Sequence, residues 1–176
     1  MPHDPRWVRL FQKQKKILKD TFGDTILAIE HVGSTAIPGM PAKPIIDIDV
    51  GVRSMRDIVA MRKKFKALGY QHRPFVPGVT KGELKKQELF VVGSGAKRTH
   101  HIHIAIFGSN YWNNNILFRD YLRAHPARAK KYAALKCQLV KKFANDRNRY
   151  TKAKEKFISA TIQLAQKRHP KRVETP

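Results

Sequence analysis

Cysteine is all but missing from this chain: Cys137 is the single one among 176 residues. That excludes an internal disulfide and suits a reducing compartment. Acidic residues are scarce as well, 13 against 36 Lys and Arg, which leaves a net charge of +23. No apolar run approaches the ~20 residues that a membrane helix requires. There is no Walker-type GK[ST] loop, since Gly39-Met40 and Gly95-Ala96-Lys97-Arg98 lack its spacing, and this argues against a P-loop kinase. No signal-like segment is visible, because Met1 to Asp4 runs straight into an amphipathic pattern. The expectation is a cytoplasmic protein with no membrane partner. It reads as a single domain over residues 1–170, long enough to bury a core, with a basic, frayed tail at 171–176.

The positive charge is uneven. From Arg119 onward, 17 basic residues stand against four acidic ones, on segments with helical spacing. Such a surplus attracts polyanions, among them RNA and multiply charged nucleotides. No recognised nucleic-acid motif or aromatic stacking platform accompanies it, so solvated surface charge is the competing reading.

What the chain does hold is concentrated between His31 and Asp49, in the run HVGSTAIPGMPAKPIIDID. A glycine and two hydroxyl residues (Gly33, Ser34, Thr35) precede an alternating strand, Ile45-Ile46-Asp47-Ile48-Asp49-Val50. Successive strand side chains point to opposite faces, so Asp47 and Asp49 share one face and Ile46, Ile48 and Val50 the other. Carboxylates about 7 Å apart repel unless a cation lies between them. A carboxylate pair beside a small-residue loop is suited to hold Mg²⁺ and the phosphates that accompany it.

The remaining pattern predicts an α+β order. Asp4-Pro5 opens a helix to about Asp20, and Thr25–Val32 is a first strand. After the carboxylate strand (44–52), Ser54 and Asp57 form a capping box for a helix ended by Gly69. Residues 70–85 read as a loop, followed by strands near 88–92 and 99–107. Helices are expected over 111–124, 126–145 and 151–168. Cys137, among Leu135, Leu139 and Val140, reads as a packed thiol.

The His31–Asp49 run resembles the GrpB-like family of small bacterial proteins, a branch of the nucleotidyltransferase superfamily. RTHHIHI at 98–104, FRDYLRAHP at 118–126, YAALK at 132–136 and YTKAKEKFI at 150–158 continue the likeness. The resemblance implies the nucleotidyltransferase fold: a small mixed β-sheet packed by helices, with a helical C-terminal third. It implies a nucleoside triphosphate as substrate and transfer of a nucleotidyl group to an acceptor. Asp47 and Asp49 would then ligate Mg²⁺ or Mn²⁺. Gly33 and Ser34 would meet the phosphates, with Thr35 and Lys43 as further contacts. Superfamily members usually add a third carboxylate from a later strand, and Thr99–Phe107 contains no acid. His103 or His101 is the expected replacement, as catalytic group or metal ligand, with Glu88 a substitute of unassigned direction. Arg119 and Arg123, four apart on one helical face, are accessory nucleotide contacts. Tyr132, Lys136, Tyr150 and Lys154 read as packing and solvated charge.

Three rival readings accompany this one. A non-catalytic nucleotide- or RNA-binding module would keep the loop and the aspartates without turnover. A zinc site could draw on His31, His100, His101 and His103. A metal-dependent phosphohydrolase could use His101 and His103.

Overall fold

Strand alternation decides which side of the sheet becomes core. In the computed structural model, which describes residues 1–73, 87–144 and 146–168, the carboxylate strand runs Ile46–Val52. Its Ile46, Ile48, Val50 and Val52 are completely buried. This is β2, preceded by β1 (Ala28–Val32) and followed by β3 (Gln71–Arg73), β4 (Gln87–Val92) and β5 (His100–Ile106). The five strands form one sheet in the order β1-β2-β5-β4-β3. Only the β2–β5 pair is parallel; the other three are antiparallel.

Two helices cover the apolar face. From α1 (Arg6–Phe22) come Trp7, Phe11, Leu18 and Phe22, and from α2 (Met55–Ala67) come Ile58, Met61 and Phe65. They pack with Ile46, Ile48, Val50, Ile102 and Ile104 into the main core. The capping box holds α2 as expected: Ser54 Oγ accepts from Asp57 N, and Asp57 Oδ2 accepts from Ser54 N at 2.9 Å. Such reciprocal bonds satisfy two amides that the first helical turn leaves without partners.

The other face carries the polar residues and meets α3 (Asn110–Ala124), against which α4 (Pro126–Lys142) and α5 (Arg147–Arg168) pack. A second apolar cluster forms there, with Ile37 and Met40 packed against Leu122 and Tyr132, flanked by Phe118 and Phe157. The chain is thus α+β, with a five-stranded mixed sheet and a helical C-terminal part.

Several boundaries depart from the sequence reading. β1 starts at Ala28 and not Thr25, because Gly23–Thr25 is a 3-10 turn. α5 starts at Arg147, before the expected Thr151. The stretch read as a loop contributes β3 at its start; residues 74–86 and the tail 171–176 lie outside the described residues. Cys137 is exposed and not packed, since α4 buries the stripe of Tyr132, Lys136 and Leu139. No described helix is long and apolar enough to cross a membrane.

Candidate functional site

Register brings the polar residues of three strands into rows. Asp47 lies opposite His101 and Asp49 opposite His103 across the parallel β2–β5 pair. On the other flank, β1 sets Val32 opposite Asp47 and Glu30 opposite Asp49. His101 Nδ1 sits 3.0 Å from Asp47 Oδ1. A carboxylate only accepts, so the imidazole donates from Nδ1 and keeps a lone pair on Nε2. Asp47, His101 and His103 offer ligand atoms within 4.8 Å of one another, and all three are half-buried. Burial holds the His103 imidazole down at about 4, against the pull of Asp47, so it is neutral and able to donate an electron pair near pH 7.

Asp49 shares this face with Asp47 but stands outside the trio. It is fully buried, and its Oδ2 accepts from Asn115 Nδ2 at 2.8 Å. Burial pushes its carboxyl up to about 8; the Asn115 hydrogen bond opposes the rise and the charge of Asp47 adds to it. A carboxyl held up in this way favours its protonated form at neutral pH.

The loop after β1 is shaped around Asp47. Gly33 has φ +69°, and a Cβ there would come 2.4 Å from Asp47 Oδ2 and 2.9 Å from its Cβ. Only glycine permits both the backbone conformation and the approach. Thr35 is buried, and its hydroxyl meets His31 Nε2 at 3.0 Å and donates to Ile45 O at 3.4 Å. Lys43 is exposed.

Cations from the C-terminal helices grip this loop and the end of β1 before it. Arg119 donates to His31 O at 2.9 Å and pairs with Glu30 and Asp120. Arg123 donates twice to Ala36 O, at 2.9 and 2.7 Å. Lys136 donates to Ser34 Oγ at 2.8 Å and to Pro41 O at 2.7 Å. The two arginines expected to contact nucleotide thus donate within the chain, Arg119 to β1 and Arg123 to the loop.

Three residues escaped the sequence reading. Tyr111, tilted against the His103 ring with centroids 6.1 Å apart, and Asn115 belong to one face of α3 with Arg119 and Arg123, each four residues apart. That polar stripe, 111-115-119-123, was a signal present in the sequence. Lys136 was read as solvated charge, yet it is 7% exposed.

The remaining candidates point away. Glu88 lies opposite Ile104, on the apolar side, where Arg62 and His72 pair with it. It cannot supply a third carboxylate to Asp47. His31 stacks on Phe11 of α1 at 4.9 Å, and His100 pairs with Thr99 in the row of Ile46. A four-histidine zinc site is therefore not assembled.

Three buried atoms around the trio have no hydrogen-bond partner: His101 Nε2, His103 Nδ1 and Asp49 Oδ1. Orphaned polar atoms at this density are costly, and a cation among them would relieve two imidazole lone pairs at once. One carboxylate and two imidazoles fit a divalent transition ion such as Mn²⁺ or Zn²⁺ better than Mg²⁺, which takes oxygen ligands. A cavity of about 430 Å³ between α3 and α5, lined by Leu117, Tyr121, His125, Ala165 and Arg168, lies apart from these residues.

A profile of the GrpB protein family matches residues 1–164. The chain belongs to the GrpB family. It is 37% identical over 164 residues to the glutamate-rich protein GrpB of Alkalihalophilus pseudofirmus, covering 91% of both chains. YqkA of Bacillus subtilis is 40% identical over 167 residues, which span 94% of this chain and 46% of YqkA. The crystal structure of conserved protein GrpB from Enterococcus faecalis superposes with a TM-score of 0.82 at 32% identity, covering 96% of this chain and 98% of that one. The same architecture thus recurs in a solved GrpB structure. The description "glutamate-rich" does not extend to this member of the GrpB family, which has five glutamates.

Proposed function

We propose that this protein is a divalent-metal-dependent nucleotidyltransferase that binds a nucleoside triphosphate at the Gly33–Pro41 loop and passes a nucleotidyl group to a hydroxyl acceptor. The observation that carries this reading is the seat of Asp47, wedged between Gly33 and the imidazoles of His101 and His103. It joins a loop suited to phosphates with a donor set suited to a cation. Asp47, His101 and His103 would hold the ion, Mn²⁺ in preference to Mg²⁺. When bound, such an ion neutralises the charge that gathers on phosphoryl oxygens. Asp49, protonated and fixed by Asn115, supports the trio from behind and is not one of the ligands.

Gly33 leaves room for close approach of a phosphate, and Ser34 presents a hydroxyl beside it. Arg123 sets the loop's shape and Arg119 fixes the end of β1 before it. The excess positive charge favours a polyanionic acceptor, RNA among them.

The test is calorimetric titration with ATP, GTP, CTP and UTP, with and without Mn²⁺ or Mg²⁺, on the wild type and Asp47→Asn. Metal-dependent binding of a nucleotide that disappears in the variant is the expected result. Failure of every nucleotide to bind would overturn the reading.

One observation favours a second reading, a non-catalytic nucleotide- or RNA-binding module. The third carboxylate is missing from β5, and Glu88 faces the opposite side. Metal-dependent binding without turnover on any hydroxyl acceptor would select it.

A further inference from the structure

Lys136 is a buried ammonium without an acidic partner among the described residues. Its Nζ bonds only neutral oxygens, Ser34 Oγ and Pro41 O, with the Tyr132 ring centroid 5.2 Å away. An ammonium has three N–H donors, so one is left over. Burial of a cation with no counter-charge is unfavourable. Its pKa is accordingly held down to about 8, first by burial and then by the charge of Lys154 on α5. Cys137 and Asp47 act on it in the opposite sense, more weakly. A second lysine therefore adds positive potential at the place where the first is already short of an anion.

Ser34 is the other half of the arrangement. Its oxygen accepts from Lys136, which leaves the hydroxyl hydrogen free to donate elsewhere. Both acceptors of Lys136 belong to the loop after β1, so the ammonium and that hydroxyl are fixed relative to each other. An O–H and an N⁺–H presented together, with a deficit of negative charge, match the oxygens of a phosphate.

We propose that Lys136, acting with Ser34, binds the terminal phosphates of the nucleoside triphosphate and is a substrate-contacting residue of this site. The inference rests on the nucleotide reading above, and its test separates the two. A lysine serving only as a strut between α4 and the loop would have no effect on phosphate affinity beyond its effect on folding.

The experiment measures binding of tripolyphosphate and of ATP with Mn²⁺ by calorimetry, and of Mn²⁺ alone by electron paramagnetic resonance. It compares the wild type with Lys136→Met, Lys136→Arg and Ser34→Ala. Loss of one charge-assisted hydrogen bond predicts roughly tenfold or greater weakening of tripolyphosphate and ATP in Lys136→Met. Mn²⁺ affinity stays within about twofold of wild type, because the metal ligands are on other elements. Lys136→Arg keeps the charge and retains more of the affinity.

Should Lys136→Met fail to fold, Ser34→Ala carries the same prediction while leaving the lysine its Pro41 bond. Wild-type affinity in the folded variants, or no tripolyphosphate binding by the wild type, overturns the proposal. Tripolyphosphate binding that depends on Lys136, without preference for any nucleotide, sustains the phosphate site and defeats the nucleotidyl reading. Nucleotide binding indifferent to Lys136 does the reverse.

Discussion

The carboxylate of Asp47 occupies space that a side chain on Gly33 would need. A Cβ at position 33 would lie 2.4 Å from Asp47 Oδ2, and φ there is +69°. The loop and the Asp47 side chain are therefore packed as one unit, and a side chain at position 33 must move the carboxylate.

Gly33→Ala tests that coupling. The backbone there (φ +69°, ψ −168°) is essentially reserved for glycine and costs an alanine about 1–3 kcal/mol, and relief of the clash must displace Asp47. Metal affinity is expected to fall by roughly tenfold or more, as measured by Mn²⁺ titration. An alanine variant that folds and binds Mn²⁺ normally would show that Asp47 holds no ion.

The two aspartates are expected to behave differently. Asp47→Asn removes the negative charge of the trio and should abolish metal binding. Asp49 is protonated at neutral pH and hydrogen-bonded to Asn115, so Asp49→Asn resembles the native group and should change stability by less than about 1 kcal/mol. Comparing denaturant midpoints and Mn²⁺ affinities of the pair checks both halves.

Acid should weaken the fold through His31. Burial, then Arg123, hold its imidazole down to about 4 from 6.5. Between those values the unfolded chain binds the proton and the native chain does not, so stability falls as pH drops from 6.5 to 4. The loss is on the order of 3 kcal/mol from this group. Urea unfolding of the wild type and His31→Gln across that window should give converging stabilities at low pH. Parallel curves would rule the group out.

Glu88 offers a control on the opposite face. Its partners Arg62 and His72 share its surroundings, and Arg62→Met leaves a mostly buried carboxylate with His72 alone. A cost of about 1–2 kcal/mol is expected, with Mn²⁺ affinity unaltered. A change in metal binding would mean that the two faces are coupled.

Much of the fold was written locally. The alternation in Ile46–Val50 set both the core face and the aspartate face, and Ser54 with Asp57 marked the start of α2. His101 and His103, two apart on one strand, were legible as neighbours. Their meeting with Asp47 required the parallel β2–β5 register, which joins positions 54 apart in the chain. The burial that pushes the Asp49 carboxyl up was not legible, since it depends on cover by α3, whose Asn115 bonds it from 66 residues on and opposes the rise. Alternation says which face a carboxylate takes, not what will cover it.

Arg119, Arg123 and Lys136 show the same limit. Periodicity placed the arginines on one helical face, but their partners His31 and Ala36 are nearly 90 residues earlier. For Lys136 a local sign existed: it falls on the same helical stripe as Tyr132 and Leu139. A lysine interrupting an apolar stripe is a stronger signal than its motif.

The clamp on the loop also has a schedule. Chains are synthesised from the N-terminus at about 5–20 residues per second, so Asp47, His101 and His103 emerge from the ribosome before Lys136. A sheet formed on the nascent chain would bring these three side chains together while Pro41 and Ser34 still await the lysine that bonds them. The three side chains proposed to hold an ion are thus synthesised seconds ahead of the lysine that ties Ser34 to Pro41.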